Sequence, residues 1–217
     1  MLNKRILVPT LFIVVLSFSG LAYSENIYVG HFSQNDLEGW ETESFAGETD
    51  YAITEADGRT SLQANSEQTA SALYKEVEIN IKQTPYLNWS WQINKGLPEL
   101  NEQTKQGDDY AARIYVVVRT GIFPWNTYAL NYVWSSKAEK ERVWPNAFTG
   151  NAIMISKRTN QDPVNTWVSE KVNVYEDMKR HLGYEIDEIA GVALMTDTDN
   201  SELSAVAYYG DIYFSEL

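Results

Sequence analysis

The chain has 217 residues, no cysteine, two histidines and a formal net charge of -13. Without thiols there is no disulfide framework, thiol nucleophile, thiolate zinc site or lipidated N-terminal cysteine, and two histidines leave little for a histidine metal site or a Ser-His-Asp triad. The acidic excess repels nucleic acid and anionic membrane surfaces, although residues 79–161 carry 10 bases against 6 acids and are locally basic.

Lys4 and Arg5 precede an apolar run from Ile6 to Tyr23, and Ala22 and Ser24 stand at the -3 and -1 positions of a small-residue cleavage site before Glu25. This three-part layout predicts a signal peptide over residues 1–24 and a periplasmic or secreted protein. The expected mature chain, 25–217, is a single β-sandwich domain with no stable membrane insertion, because no second apolar stretch approaches spanning length.

Beyond the leader, hydrophobicity alternates with period two again and again, the signature of half-buried strands. Ile27–Phe32 is the first candidate. Tyr51–Glu55 and Thr60–Ala64 flank Asp57-Gly58, the dipeptide that suits a tight hairpin turn. Leu73, Val77, Ile79 and Ile81 alternate with polar residues. The series continues with Tyr86–Ile93, Ala111–Arg119, Tyr128–Ser135, Ala152–Lys157, Trp167–Val174, Ile189–Met195 and Ala205–Phe214. One short helix is expected near 175–182, where Met178 and Leu182 lie four apart and Gly183 can cap the C-terminus. About ten strands without interleaved helices predict an all-β, antiparallel β-sandwich of jelly-roll type. Three polar connections, Lys95–Asp109, Ser136–Gly150 and Arg158–Thr166, are candidate binding loops, and Trp144 within the second is expected to tuck back onto the sandwich.

Sorting the strands by face isolates the candidate site. Leu87, Trp89, Trp91 and Ile93 share one face, as do Ala112, Ile114, Val116 and Val118, and Leu130, Tyr132 and Trp134. The opposite faces carry Arg113, Tyr115, Asn131 and, on the last strand, Tyr209. Planar amides, a guanidinium and phenols offer forked hydrogen bonds and flat apolar rings, which match the vicinal hydroxyls and ring faces of a sugar. Arg113, Tyr115, Asn131 and Tyr209, with Asp109 and Asp199 at the rim, are therefore the expected binding residues for a glycan or similar polar small ligand. On this reading Arg113→Ala abolishes binding without unfolding the chain. The alternative is that these groups satisfy one another under a covering loop.

Two acidic clusters, Asp108-Asp109 and Asp197-Thr198-Asp199-Asn200, hold paired carboxylates. They suit turns, a structural calcium ion on Asp197, Asp199 and Asp108, or acid/base chemistry. No phosphate-binding glycine loop, His-Glu-x-x-His or Gly-x-Ser-x-Gly occurs. Three functions stay open: exported non-catalytic glycan binding; a glycan hydrolase or lyase using two of Asp108, Asp109, Asp197 and Asp199; and an envelope scaffold or assembly protein without a small ligand.

Asp108-Asp109-Tyr-Ala-Ala-Arg113-Ile-Tyr-Val-Val, Leu130-Asn131-Tyr132-Val133-Trp134, Leu194-Met-Thr-Asp197-Thr-Asp199-Asn200 and Ala207-Tyr208-Tyr209-Gly210-Asp211-Ile212, in this order, resemble the bacterial family known as domain of unknown function 3047. The resemblance implies an exported protein of undefined activity and supplies no catalytic residues. Leu37-Glu-Gly-Trp40 near the start and Tyr209-Gly-Asp211-Ile-Tyr-Phe214 at the end resemble the terminal strands of galactose-binding-like jelly rolls, a fold of many carbohydrate-binding modules, several with calcium.

Overall fold

The computed structural model describes residues 26–121, 126–137, 139–183 and 185–217, so the expected signal peptide lies outside the described residues. The chain folds into a β-sandwich of jelly-roll type. Its strands are β1 (Ile27–Gly30), β2 (Glu41–Ala46), β3 (Asp50–Ala56), β4 (Arg59–Glu67), β5 (Ala70–Asn80), β6 (Tyr86–Ile93) and β7 (Arg113–Arg119). They continue with β8 (Thr127–Trp134), β9 (Val143–Pro145), β10 (Ala152–Arg158), β11 (Val168–Asn173), β12 (Glu188–Met195), β13 (Ser204–Tyr209) and β14 (Ile212–Ser215). The helix α1 spans Val174–Leu182. Asn173 caps its start by accepting from the Glu176 amide at 3.0 Å, and Gly183, at φ 73°, ends it in the left-handed conformation. Among the described residues no helix is long and apolar enough to cross a membrane.

The first sheet is built around β6. β11 covers one edge of β6 along its length, while β13 and β14 share the other edge end to end. β4 and β3 extend the sheet beyond β13, and β1 extends it beyond β14. The β3–β4 hairpin closes through Asp57 and Gly58 at φ 54° and 70°, the paired positive angles a tight primed turn needs. The second sheet runs β2-β5-β12-β7-β8-β10-β9. Every pair is antiparallel except β8 with β10. A parallel return requires a crossover of a dozen or more residues, which is why the long connection at 136–150 exists and carries β9.

The apolar faces meet between the sheets. Trp89 and Trp91 from β6 stand against Tyr132 and Trp134 from β8, with ring centroids 5.6 and 5.7 Å apart. Each such aromatic contributes roughly 1.5–3 kcal/mol when taken fully out of water. The expected core faces of β6, β7 and β8 are all confirmed.

The last strand requires a correction. Period two puts Val206 and Tyr208 in the core with Ile212 and Phe214. Instead Ala205, Ala207 and Tyr209 face inward, and Ile212 and Phe214 follow them. Gly210 and Asp211 break the run, and the Gly210 amide still bonds the Ser90 carbonyl at 2.8 Å. The break shifts the phase by one residue, so Tyr209 is fully buried.

Candidate functional site

The site grows from the outer face of the second sheet, the side turned away from the sandwich core. Strand register aligns one row of residues across it: Trp144, Met154, Asn131, Tyr115, Ala193 and Tyr74. The next row is Val133, Arg113, Met195 and Ala72. At one end Tyr110, Val133, Trp144 and Met154 form a small apolar cluster of their own. Trp144 is thus folded back as expected. Beside this cluster lies a hollow of about 410 Å3, floored by Arg113, Tyr115, Asn131 and Met195.

Three segments raise its walls. Phe45 and Ala46 come from the end of β2, and Asn146, Phe148 and Thr149 from the β8–β10 crossover. Asp108 precedes β7, and Asp197, Asp199 and Asn200 follow β12. Phe45 and Phe148 are 66% and 55% exposed, an uncommon disposition for large apolar rings, and both flank the hollow. The crossover is clamped by Glu102, fully buried in the preceding long loop. It accepts from the Ser136 amide at 2.6 Å and from Ser135 Oγ at 2.8 Å, and it pairs with Arg142. Asn146 pins the tip. Its Nδ2 donates to both oxygens of Asp108, and its Oδ1 accepts from the Phe148 amide at 3.0 Å.

Arg113 is 5% exposed. Its guanidinium donates to Asp197 Oδ2 at 2.5 Å and lies 5.1 and 5.3 Å from the ring centres of Tyr110 and Tyr115. Burial is the largest single influence on Arg113 and opposes its charge, but Asp197, Tyr115, Asp108 and Tyr110 together outweigh it and keep the group protonated. Burial pushes the Asp197 carboxyl well above the usual carboxylate range. Arg113 pulls it back, and Asp109, Asp108 and Asp199 push it further up. Asp108 is raised mainly by burial, against Arg113 and Asn146, and Asp199 by burial and the neighbouring Asp109.

Asn131 stands apart from this network. It is 1% exposed, yet neither its Oδ1 nor its Nδ2 has a hydrogen-bond partner. A buried amide left unbonded costs free energy, and native structures rarely leave one so. Its side chain is among those lining the hollow, with both polar atoms withdrawn from water.

Of the residues expected from sequence, Arg113, Tyr115, Asn131 and Asp199 border this one hollow, together with Asp108 and Asp197. Tyr209 does not. Its hydroxyl lies in the core, donating to the Met195 carbonyl at 2.8 Å and accepting from the Arg113 amide at 3.3 Å. From the core side it ties β7 to the end of β12. Asp109 is also absent from the lining. It is fully buried, holding the Asn200 and Ser201 amides. The expected mutual pairing holds in part, since Arg113 spends one donor on Asp197. The carboxylates that converge are Asp109, Asp197 and Asp199, each offering an oxygen within 4.8 Å of the others. Asp108, the third member of the expected metal trio, is not in this group, and Asn146 donates to both of its oxygens. Phe45, Asn146 and Phe148 escape the sequence reading. Phe148 ends the Arg142–Phe148 loop run, but its role depends on where the crossover lies.

The family model described as "Protein of unknown function (DUF3047)" matches residues 38–213. No curated protein matches the chain. Among solved structures, the chain is similar to the glycoside hydrolase domain of Endo-D from Streptococcus pneumoniae R6, with 11% identity, a TM-score of 0.39, and 82% of this chain and 21% of that one covered. It is similar to carbohydrate-binding modules of the β-sandwich superfamily, at 12% identity and TM-score 0.43, covering 86% and 61%. It is similar to endoglucanase Cel12A from Rhodothermus marinus, at 11% identity and TM-score 0.47, covering 81% and 96%. The chain thus spans about a fifth of the first of these and about three fifths of the second. Likenesses at these scores say nothing of what the chain binds or cleaves.

Proposed function

The chain belongs to the DUF3047 family, and for it we propose non-catalytic binding of a neutral glycan in the outer-face hollow of the second sheet, by a protein exported to the periplasm or secreted. The observation that carries this reading is Asn131, a buried amide whose donor group and acceptor have no partner in the protein, in the lining of a hollow bordered by two exposed phenyl rings. Vicinal hydroxyls satisfy both ends of an amide at once, and the apolar face of a pyranose stacks on Phe45 or Phe148. The acidic wall disfavours an anionic sugar. Binding without cleavage is favoured because Asp108 and Asp109 are bonded inward and Asp197 is held by Arg113. Each of these three carboxylates has at least one protein partner.

The test is a panel of neutral and uronic oligosaccharides titrated calorimetrically, with reducing-end release followed in parallel. Phe148→Ala leaves an exposed position and changes stability by no more than about 0.5 kcal/mol. It is expected to weaken binding about tenfold, the loss of one stacking contact of ~1.4 kcal/mol. Asn131→Ala is expected to weaken it as much or more. No binding across the panel, or variants that bind like the parent chain, refutes the reading. Sugar release points to the hydrolase.

A further inference from the structure

The acidic wall holds more negative charge than the protein neutralises. Asp109 and Asp197 are 0% and 1% exposed, and Asp199 is half-buried beside them. Arg113 with Asp197 is the one ion pair that any of the three makes among the described residues. Asn200 and Ser201 bond Asp109, and the Asn200 side chain reaches Asp199 at 3.1 Å. Asp197 Oδ1 has no partner at all. A carboxylate oxygen withdrawn from water and left unbonded is unfavourable unless something else approaches it.

We propose that Asp109, Asp197 and Asp199 hold a calcium ion, and that its unfilled coordination positions face the hollow. Calcium is a hard cation that takes about 6–8 oxygens at roughly 2.4 Å. Three oxygens within 4.8 Å of one another can all touch one such ion. The ion satisfies Asp197 Oδ1 and offsets the surplus charge. Asp197 and Asp199 line the hollow while Asp109 stands outside its lining. Two of the three ligands thus border the hollow and the third lies behind them. Three carboxylates fill only part of the shell, and the positions left open are taken by water or by a hydroxyl of the guest. A glycan seated on Asn131 thus has a second anchor. That last role rests on the glycan reading above, whereas the ion itself does not.

Terbium(III), a hard cation excited through nearby phenols such as Tyr110 and Tyr115, is titrated into the purified chain after stripping with chelator. The expected result is saturable luminescence, displaced by calcium but not by equal magnesium. Lifetimes in H2O and D2O should count at least about two bound waters, the remainder of the shell. Asp199→Asn is expected to weaken terbium binding at least tenfold without lowering the melting temperature in chelator. Failure to saturate, or an Asp199→Asn curve that overlays the parent, overturns the site. A count of zero waters overturns the open face. If Asp199→Asn fails to fold, the parent chain's melting temperature decides: a rise with calcium but not magnesium supports the site, and no rise overturns it. Terbium binding without any oligosaccharide binding sinks the glycan reading alone; the reverse sinks the ion alone.

Discussion

Replacing Arg113 by alanine strips a counter-charge from a carboxylate that cannot reach water. The two side chains are 6% and 1% exposed and 2.5 Å apart. Removing one partner of such a pair leaves the other charge buried and uncompensated, which costs about 3–5 kcal/mol. Against a domain stability of about 5–15 kcal/mol, that is roughly a fifth or more of the whole. The expectation that Arg113→Ala abolishes binding while sparing the fold is therefore replaced by a large loss of stability. Arg113 supports the site and cannot be deleted cleanly. The double variant Arg113→Met with Asp197→Leu removes both charges and fills the space with apolar atoms. It should lose less than the sum of its parts by about 2–3 kcal/mol. Urea unfolding followed by tryptophan fluorescence, in chelator, measures all three variants against the parent. A cost below about 1 kcal/mol for Arg113→Ala, or a double variant equal to the sum of the singles, refutes the reasoning.

Four further predictions rest on local geometry. A Cβ at Gly210 would come 2.2 Å from Ser90 Oγ. Gly210→Ala should therefore cost about 1–3 kcal/mol in thermal melts and recover most of it in a Ser90→Ala background. Gly58→Ala has open space around it but φ 70°, so it should cost roughly 1–2 kcal/mol through backbone strain alone. Asn173→Ala removes the cap of α1 and should lower stability by about 1 kcal/mol, read as reduced hydrogen-exchange protection in 174–177. Burial alone would raise the Asp162 carboxyl, but Lys140, Thr159 and Arg158 outweigh it and hold the group below its ordinary value. Its contribution is present above about pH 3.9 and is lost as pH falls through the lower folded value, because the unfolded chain binds the proton first. Asp162→Asn should thus flatten the acid limb of the stability curve and leave its slope near neutrality unchanged.

Period two placed the faces of β6, β7 and β8 correctly because each is amphipathic over its full length. It missed β2, whose residues 41–45 are all exposed at the sheet edge, so no burial imprints an alternation on Glu41–Ala46. It misplaced Tyr209 because alternation was carried across Gly210 and Asp211, where the chain swaps from β13 to β14 along a single edge of β6. The floor of the hollow was legible for a physical reason. Arg113, Tyr115 and Asn131 are polar groups on strands whose other face is core, so they must point outward wherever those strands lie. That β7 and β8 are neighbours, which turns three outward residues into one surface, is a fact of register that no single strand encodes.

The walls were illegible for a different reason. Phe45 belongs to an edge strand without a pattern. Asn146 and Phe148 sit on a crossover whose position depends on the parallel pairing of β8 with β10 and on the Glu102 clamp from another loop. Such contacts join segments some 35 residues apart in the chain, 34 in the case of Glu102 and Ser136, and leave no periodic trace. The consequence reaches function. The hollow, with Asn131 in its floor and Phe148 held at its border through Asn146 and Asp108, marks where the crossover stops. That stopping point separates a covered sheet from one with a place for a guest.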